Sequence, residues 1–188
     1  MHVSRTRLAA EAGLSIALAA VLQLIAVWQL PQGGSYSLTM LPIFVFAILR
    51  GTGPGLAAGA LYGVIDLIMK PYIYTWAQVA LDYPIAYALV GFAGVTSMHW
   101  HALMGAGRRG AALWRAVVPG IALGAVGRYA AHVLSGVVFF SSYAIELGQV
   151  PMLYSLGYNS FVLVSGALCA VVAGAVLPPL HTMLSRRA

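Results

Sequence analysis

The chain has 188 residues, of which 61% are apolar and only 7% charged, a balance that leaves too little polar surface to cover a water-soluble core. A bilayer must supply the outer surface, and at ~20 apolar residues per crossing the length suits a single membrane domain over residues 1–188 with about six spanning helices. The formal charge of +6 does not point to nucleic acid, because the basic residues sit in loops between apolar runs and not on one aqueous face.

In chain order, the apolar runs predict helices over residues 8–30, 38–49, 55–69, 76–99, 111–140 and 154–184. The first run is longer than the ~7–15 apolar residues of a signal peptide, so it is read as a retained helix with Arg5 and Arg7 as its cytoplasmic flank. Breaks fall at PQGGSYS (31–37), RGTGPG (50–55), KPY (70–72), GAGRRG (105–110) and LGQVP (147–151), where Gly and Pro end helices. The second and third runs are shorter than an ordinary span and are expected to be tilted or shielded by neighbours. The single cysteine, Cys169, lies inside the last apolar run and is read as a small buried residue.

Lys and Arg accumulate on the cytoplasmic side of short loops. With the N-terminus inside, six crossings place Arg5, Arg7, Arg50, Arg108, Arg109, Arg115, Arg186 and Arg187 there, eight of the ten basic residues. Lys70 falls in an outer loop and Arg128 within the fifth helix. The expected fold is therefore an all-α integral membrane protein with six transmembrane helices and cytoplasmic N- and C-termini.

An ionisable group near the bilayer centre costs ~2.5–3.5 kcal/mol on insertion scales, so it must face protein or a wet cavity. Asp82, Arg128 and His132 are in that position, whereas Asp66 and Glu11 are placed nearer helix ends, where an interface lowers the cost. Arg128, His132, Gly136 and Phe140 recur every four residues and so share one helix face, which should point inward. An ion pair between Arg128 and Asp82 is one way to satisfy both.

Aromatic residues gather at the outer end: Tyr36, Tyr72, Tyr74, Trp76, Tyr83, Phe139, Phe140, Tyr143, Tyr154 and Tyr158. Interfacial anchoring explains part of that belt. It does not explain an acid, a histidine and Asn159 at the same depth, which together describe an aromatic-walled pocket for a flat, nitrogen-rich, cationic small molecule. No Walker A, Gly-x-Ser-x-Gly or His-Glu-x-x-His motif is present, so neither enzymatic activity nor a cofactor is expected. His99 and His101 lack a neighbouring acid and are read as a solvated basic loop, not as a metal site.

Four pieces carry a family resemblance: GGSYSLTMLPI at 33–43, Tyr72 followed by WAQVALDYP at 76–84, RYAAHVLSG at 128–136, and Tyr154 with Asn159. In this order they resemble the thiamin-specific substrate-binding (S) components of energy-coupling factor (ECF) transporters, a likeness that covers most of the chain. The resemblance implies a bacterial, multi-pass membrane protein that captures thiamin from outside and docks on an ECF transmembrane coupling subunit carrying two cytoplasmic ATPases. Carried over residue by residue, it implies substrate binding by Tyr72, Asp82, Tyr83, His132, Gly136, Phe140, Tyr154 and Asn159, with Tyr36 as a further candidate. Asp82 and Asn159 suit the aminopyrimidine edge, while His132, Phe140 and the tyrosines suit stacking on the rings.

Family members can carry tryptophan at the position of Phe140 and near Gly33, and glutamate at that of Asp82. Here the shorter carboxylate must approach its ligand more closely, and Tyr36 is placed to take over stacking. Gly13 and Ala17 match the small-xxx-small pattern through which S components are thought to meet their coupling subunit. Two alternatives stand beside this reading: an S component for another vitamin, and a self-sufficient proton-coupled carrier using Asp82 and His132 as its titrating pair.

Overall fold

The structure is a computed structural model that describes residues 4–26, 28–30 and 33–185. Arg186 and Arg187 of the charge count, and Pro31 and Gln32 of the first outer break, lie outside the described residues.

Helix α1, Arg5–Leu24, begins at Ser4, whose hydroxyl accepts the Arg7 N–H at 3.3 Å. It ends six residues earlier than hydropathy alone predicts. Trp28–Gln29 (β1) instead pairs antiparallel with Ser35–Tyr36 (β2), closing a small hairpin. A composition average cannot distinguish apolar strand from apolar helix over so short a stretch. Gly33 adopts a positive φ of 94° in this turn.

Next come α2 (Leu41–Arg50) and α3 (Thr52–Met69), joined at Gly51, whose φ of 96° turns the chain back while its N–H caps Ala47 O at 2.7 Å. Helix α2 has 10 residues, about 15 Å of rise against a hydrocarbon core of ~30 Å. Every side chain from Pro42 to Leu49 is buried, so lipid does not reach it.

Helix α4, Trp76–Gly105, runs past the predicted end at residue 99. It accommodates Pro84, which has no N–H to give, by widening into a π-helical turn over Leu81–Ile85. The His99 and His101 segment is therefore helical, and Trp100 at 1% exposure is buried, contrary to the solvated-loop expectation. His101 faces the Leu49 carbonyl at 3.0 Å through Nε2 and His181 at 3.1 Å through Nδ1, contacts that a mostly apolar local sequence does not announce.

Helix α5 spans Ala111–Phe139, α6 Ser141–Glu146, α7 Pro151–Asn159 and α8 Phe161–Ser185, with a break at Ser160 inside the predicted sixth helix. Among the described residues, five segments are long and apolar enough to cross a membrane: α1, α3, α4, α5, and α7 with α8 taken together.

Close contact between α3 and α4 is made by glycines. A Cβ on Gly59 would lie 2.1 Å from Tyr87 O, and one on Gly63 2.4 Å from Tyr83 O, so α3 and α4 meet backbone to backbone along a four-residue repeat. That contact holds Tyr83, Tyr87 and the π-helical turn against α3. At the opposite end, Glu11 accepts from Arg7 and Arg50, and Arg7 Nη2 also reaches Leu184 O at 3.3 Å. The start of α1, the end of α2 and the end of α8 are thus tied together.

Candidate functional site

Between the hairpin and the hairpin-side ends of α3, α4, α5 and α7 lies a cavity of about 130 Å³. A single water needs only ~10–15 Å³ on this measure, so the space admits an organic ligand. The hairpin supplies Gly33, Gly34 and Ser35 to the cavity wall.

All the residues expected to bind substrate line this cavity except Tyr36, while Tyr74, Trp76, Phe139 and Tyr143 of the aromatic cluster do not. Tyr36 packs edge-on against Phe161, with ring centroids 6.4 Å apart, so its effect on the lining passes through that ring. The inward face of α5 supplies Arg128, His132, Ser135 and Gly136, as its four-residue spacing requires. Helix α4 faces it with Gln78, Asp82, Tyr83 and Tyr87.

Asp82, in the π-helical turn, is the polar centre. Its Oδ1 accepts from His132 Nδ1 at 3.1 Å, and its Oδ2 accepts from Gln78 Nε2 at 2.8 Å and Ser135 Oγ at 2.7 Å. Arg128 does not pair with Asp82 directly. Its Nε donates to His132 Nε2 at 3.3 Å and its guanidinium carbon lies 3.9 Å from the centroid of the Tyr87 ring, so cation–π attraction and a relay through histidine replace the expected ion pair. Asp66 is also corrected: at 7% exposure it is buried and lines the cavity, with the Tyr62 hydroxyl 3.5 Å away. The lining thus holds two carboxylates, Asp66 and Asp82, with Lys70 and Arg128 as their fixed counter-charges.

Asn159 is held from α7. Its Nδ2 has Ser155 O at 2.9 Å, Ser155 Oγ at 3.2 Å and His132 O at 3.3 Å, more acceptors than its two protons can serve. Anything further that Asn159 offers is therefore an acceptor, Oδ1. Gly136 permits this approach of α7 to α5, since a Cβ there would stand 2.2 Å from Ser155 Oγ.

The aromatic walls have two parts. Phe140 sits 5.8 Å from Tyr72 and 5.7 Å from Tyr74 between ring centroids. Tyr154 stacks on Tyr158 at 6.1 Å and 15°, and Tyr158 meets Phe161 edge-on at 6.0 Å. The Tyr83 hydroxyl donates to Lys70 O at 2.8 Å and accepts the Tyr72 N–H at 2.9 Å, which fixes the loop carrying Tyr72. Tyr72 and Tyr143 share a 3.0 Å hydroxyl contact, and that bond with partial burial pushes the Tyr72 phenol up to about 12. Gly34 N–H donates to the Tyr158 hydroxyl at 3.2 Å, pinning the hairpin over α7.

Gln23, Asp66, Gln78, Arg128, Ser135, Ser155, Tyr158 and Phe161 all line the cavity without having been expected as binding residues. Arg128 was marked by its cost in a bilayer and Tyr158 by the outer aromatic cluster. The neutral polar residues carry no such signal.

A bundle of apolar helices with a polar, aromatic-walled cavity at one end defines a membrane protein that binds a small organic molecule. The chain belongs to the Thiamine transporter protein family, whose sequence profile matches residues 9–185. It is 35% identical over 166 residues to the thiamine transporter ThiT of Bacillus subtilis (strain 168), covering 86% of this chain and 85% of that protein. It is 34% identical over 143 residues to ThiT of Lacticaseibacillus paracasei, covering 73% and 70% respectively. The structure superimposes on that of ThiT from Listeria monocytogenes with a TM-score of 0.81 and 29% identity, over 94% of this chain and 97% of the other. It is accordingly a multi-pass bacterial membrane protein of a transporter family.

Proposed function

We propose that this chain is the thiamin-binding S component of an ECF-type importer, with the cavity around Asp82 as its substrate site. The observation that carries the reading is the pairing of acceptors and aromatic walls. Asp82 Oδ1 and Asn159 Oδ1 can accept N–H groups of an aminopyrimidine, and Phe140, Tyr72, Tyr154 and His132 lie where flat rings would stack. Cation–π attraction to a thiazolium contributes ~0.5–2 kcal/mol, depending on desolvation. Tyr83 and Gly136 act by shaping the wall, and Tyr36 through Phe161.

The orientation proposed is six crossings, with α2 and its extended lead-in forming the second, and with both termini cytoplasmic. It is supported by the contacts of Arg7 and Arg50 with Glu11 and of His101 with Leu49 O, which bring Arg7, Arg50 and the Arg108–Arg109 loop to the end opposite the cavity. The hairpin would then gate the site from outside. Gly13 and Ala17 lie exposed on α1 with open space at Gly13, as a surface for a coupling subunit requires.

Reconstitution tests the assembly. Liposomes holding the chain alone should not accumulate thiamin, whereas adding an ECF coupling subunit, its two ATPases and ATP should produce uptake. The 3.1 Å His132–Asp82 contact favours one competing account, a proton-coupled carrier. Accumulation by the chain alone under a proton gradient would establish that account and exclude the S-component reading.

A further inference from the structure

The donors around Asp82 constrain one another. A carboxylate offers about four lone-pair positions. Gln78, Ser135 and His132 occupy three of them, two on Oδ2 and one on Oδ1, which leaves one on Oδ1. The direction of each bond is set from outside. The Tyr74 backbone N–H can only donate, so its 3.0 Å contact turns Gln78 Oε1 toward it and Nε2 toward Asp82. Arg128 Nε can likewise only donate, which makes His132 Nε2 the acceptor and puts the histidine proton on Nδ1, facing Oδ1. Gln78 is 1% exposed and is held between these two partners.

We propose that Gln78 is a positioning residue that sets the ligand preference of the site. Anchored on the Tyr74 backbone, it holds Asp82 Oδ2 so that Oδ1 presents one acceptor to the cavity, favouring a ligand with an N–H donor there over a near-identical ligand with an oxygen acceptor. Ser135 shares this work from α5. The inference deepens the thiamin reading and rests on it. Thiamin carries an amino group at C4′ of its pyrimidine, and oxythiamin carries a carbonyl oxygen at the same carbon with a proton on a ring nitrogen, so the pair reverses donor and acceptor at this contact, and the variants at Gln78 and Ser135 report the part of the preference that passes through Asp82.

The test is titration of thiamin and oxythiamin into the detergent-purified full chain, with thermal unfolding recorded for each variant. The unsubstituted protein should prefer thiamin by about 100-fold, the effect expected for loss of a hydrogen bond to a charged group. Gln78→Leu removes both the Tyr74 anchor and the Nε2 donor to Oδ2 without adding charge, so the Asp82 carboxylate is free to turn away from the ligand and the preference narrows by tenfold or more. Ser135→Ala removes the other Oδ2 donor and narrows it about threefold; it decides the matter if Gln78→Leu does not fold. Equal weakening for both ligands, or an unchanged ratio, overturns the positioning role. An unsubstituted chain that binds neither compound overturns the thiamin reading, and with it this inference, before any variant is compared.

Discussion

The two ends of this bundle each hold a carboxylate among donors, and they are built for different ends. Glu11 is met by Arg7 and Arg50, does not line the cavity around Asp82, and forms a clasp joining α1 to the end of α2. Asp82 is met by neutral or relayed donors, keeps one acceptor position open, and faces about 130 Å³ of space. A charge in a membrane protein becomes a site when its hydrogen-bonding capacity is left incomplete next to room for a partner. Where counter-ions fill that capacity, the same chemistry holds helices together.

Substitutions at the two ends should therefore separate affinity from stability. The largest effect on affinity is expected from Asp82→Asn, which puts an NH₂ group where the site needs an acceptor; thiamin binding should weaken about 100-fold, roughly 2.7 kcal/mol, in a calorimetric titration. Asn159→Ala should cost about 30-fold, because it removes an acceptor together with the amide contacts that hold α7 to Ser155 and to His132 O on α5. Gly136→Ala should cost about tenfold by pushing α7 away from α5. The double variant Gly136→Ala with Ser155→Gly, which clears the obstructing side chain, should recover part of that loss. At the other end, Glu11→Gln should leave thiamin affinity within about twofold while lowering the thermal midpoint by a few degrees, since a half-exposed ion pair contributes about 1 kcal/mol or less. Smallest of all, Tyr36→Phe should change neither quantity appreciably, because the ring that meets Phe161 is kept. A large affinity loss in Glu11→Gln would erase the distinction between the ends.

What the sequence makes legible follows from cost. Arg128, His132 and Asp82 are expensive in hydrocarbon, and their period along the helix declares a face, so the centre of the cavity could be read in advance. Asp66 carries the same cost but was discounted for its position near a helix end; the close α3–α4 contact at Gly59 and Gly63 buries it there. Gln78, Ser135 and Ser155 are cheap enough to occur anywhere, and only their partners reveal them. The bend after Leu24 was hidden because residues 25–30 are as apolar in sequence as the helix before them, while Trp28 and Gln29 pair with β2. The buried α2 shows the converse: its shortness is visible in the sequence, and the structure shows how it is accommodated, with every side chain from Pro42 to Leu49 buried by its neighbours.

The most direct test of the central claim is titration of the purified chain with thiamin, thiamin monophosphate and riboflavin, followed by calorimetry or tryptophan fluorescence. The account predicts saturable one-to-one binding of thiamin, much weaker binding of riboflavin, and loss of the signal in Asp82→Asn. Equal binding of riboflavin, or thiamin binding unaffected by Asp82→Asn, would contradict it.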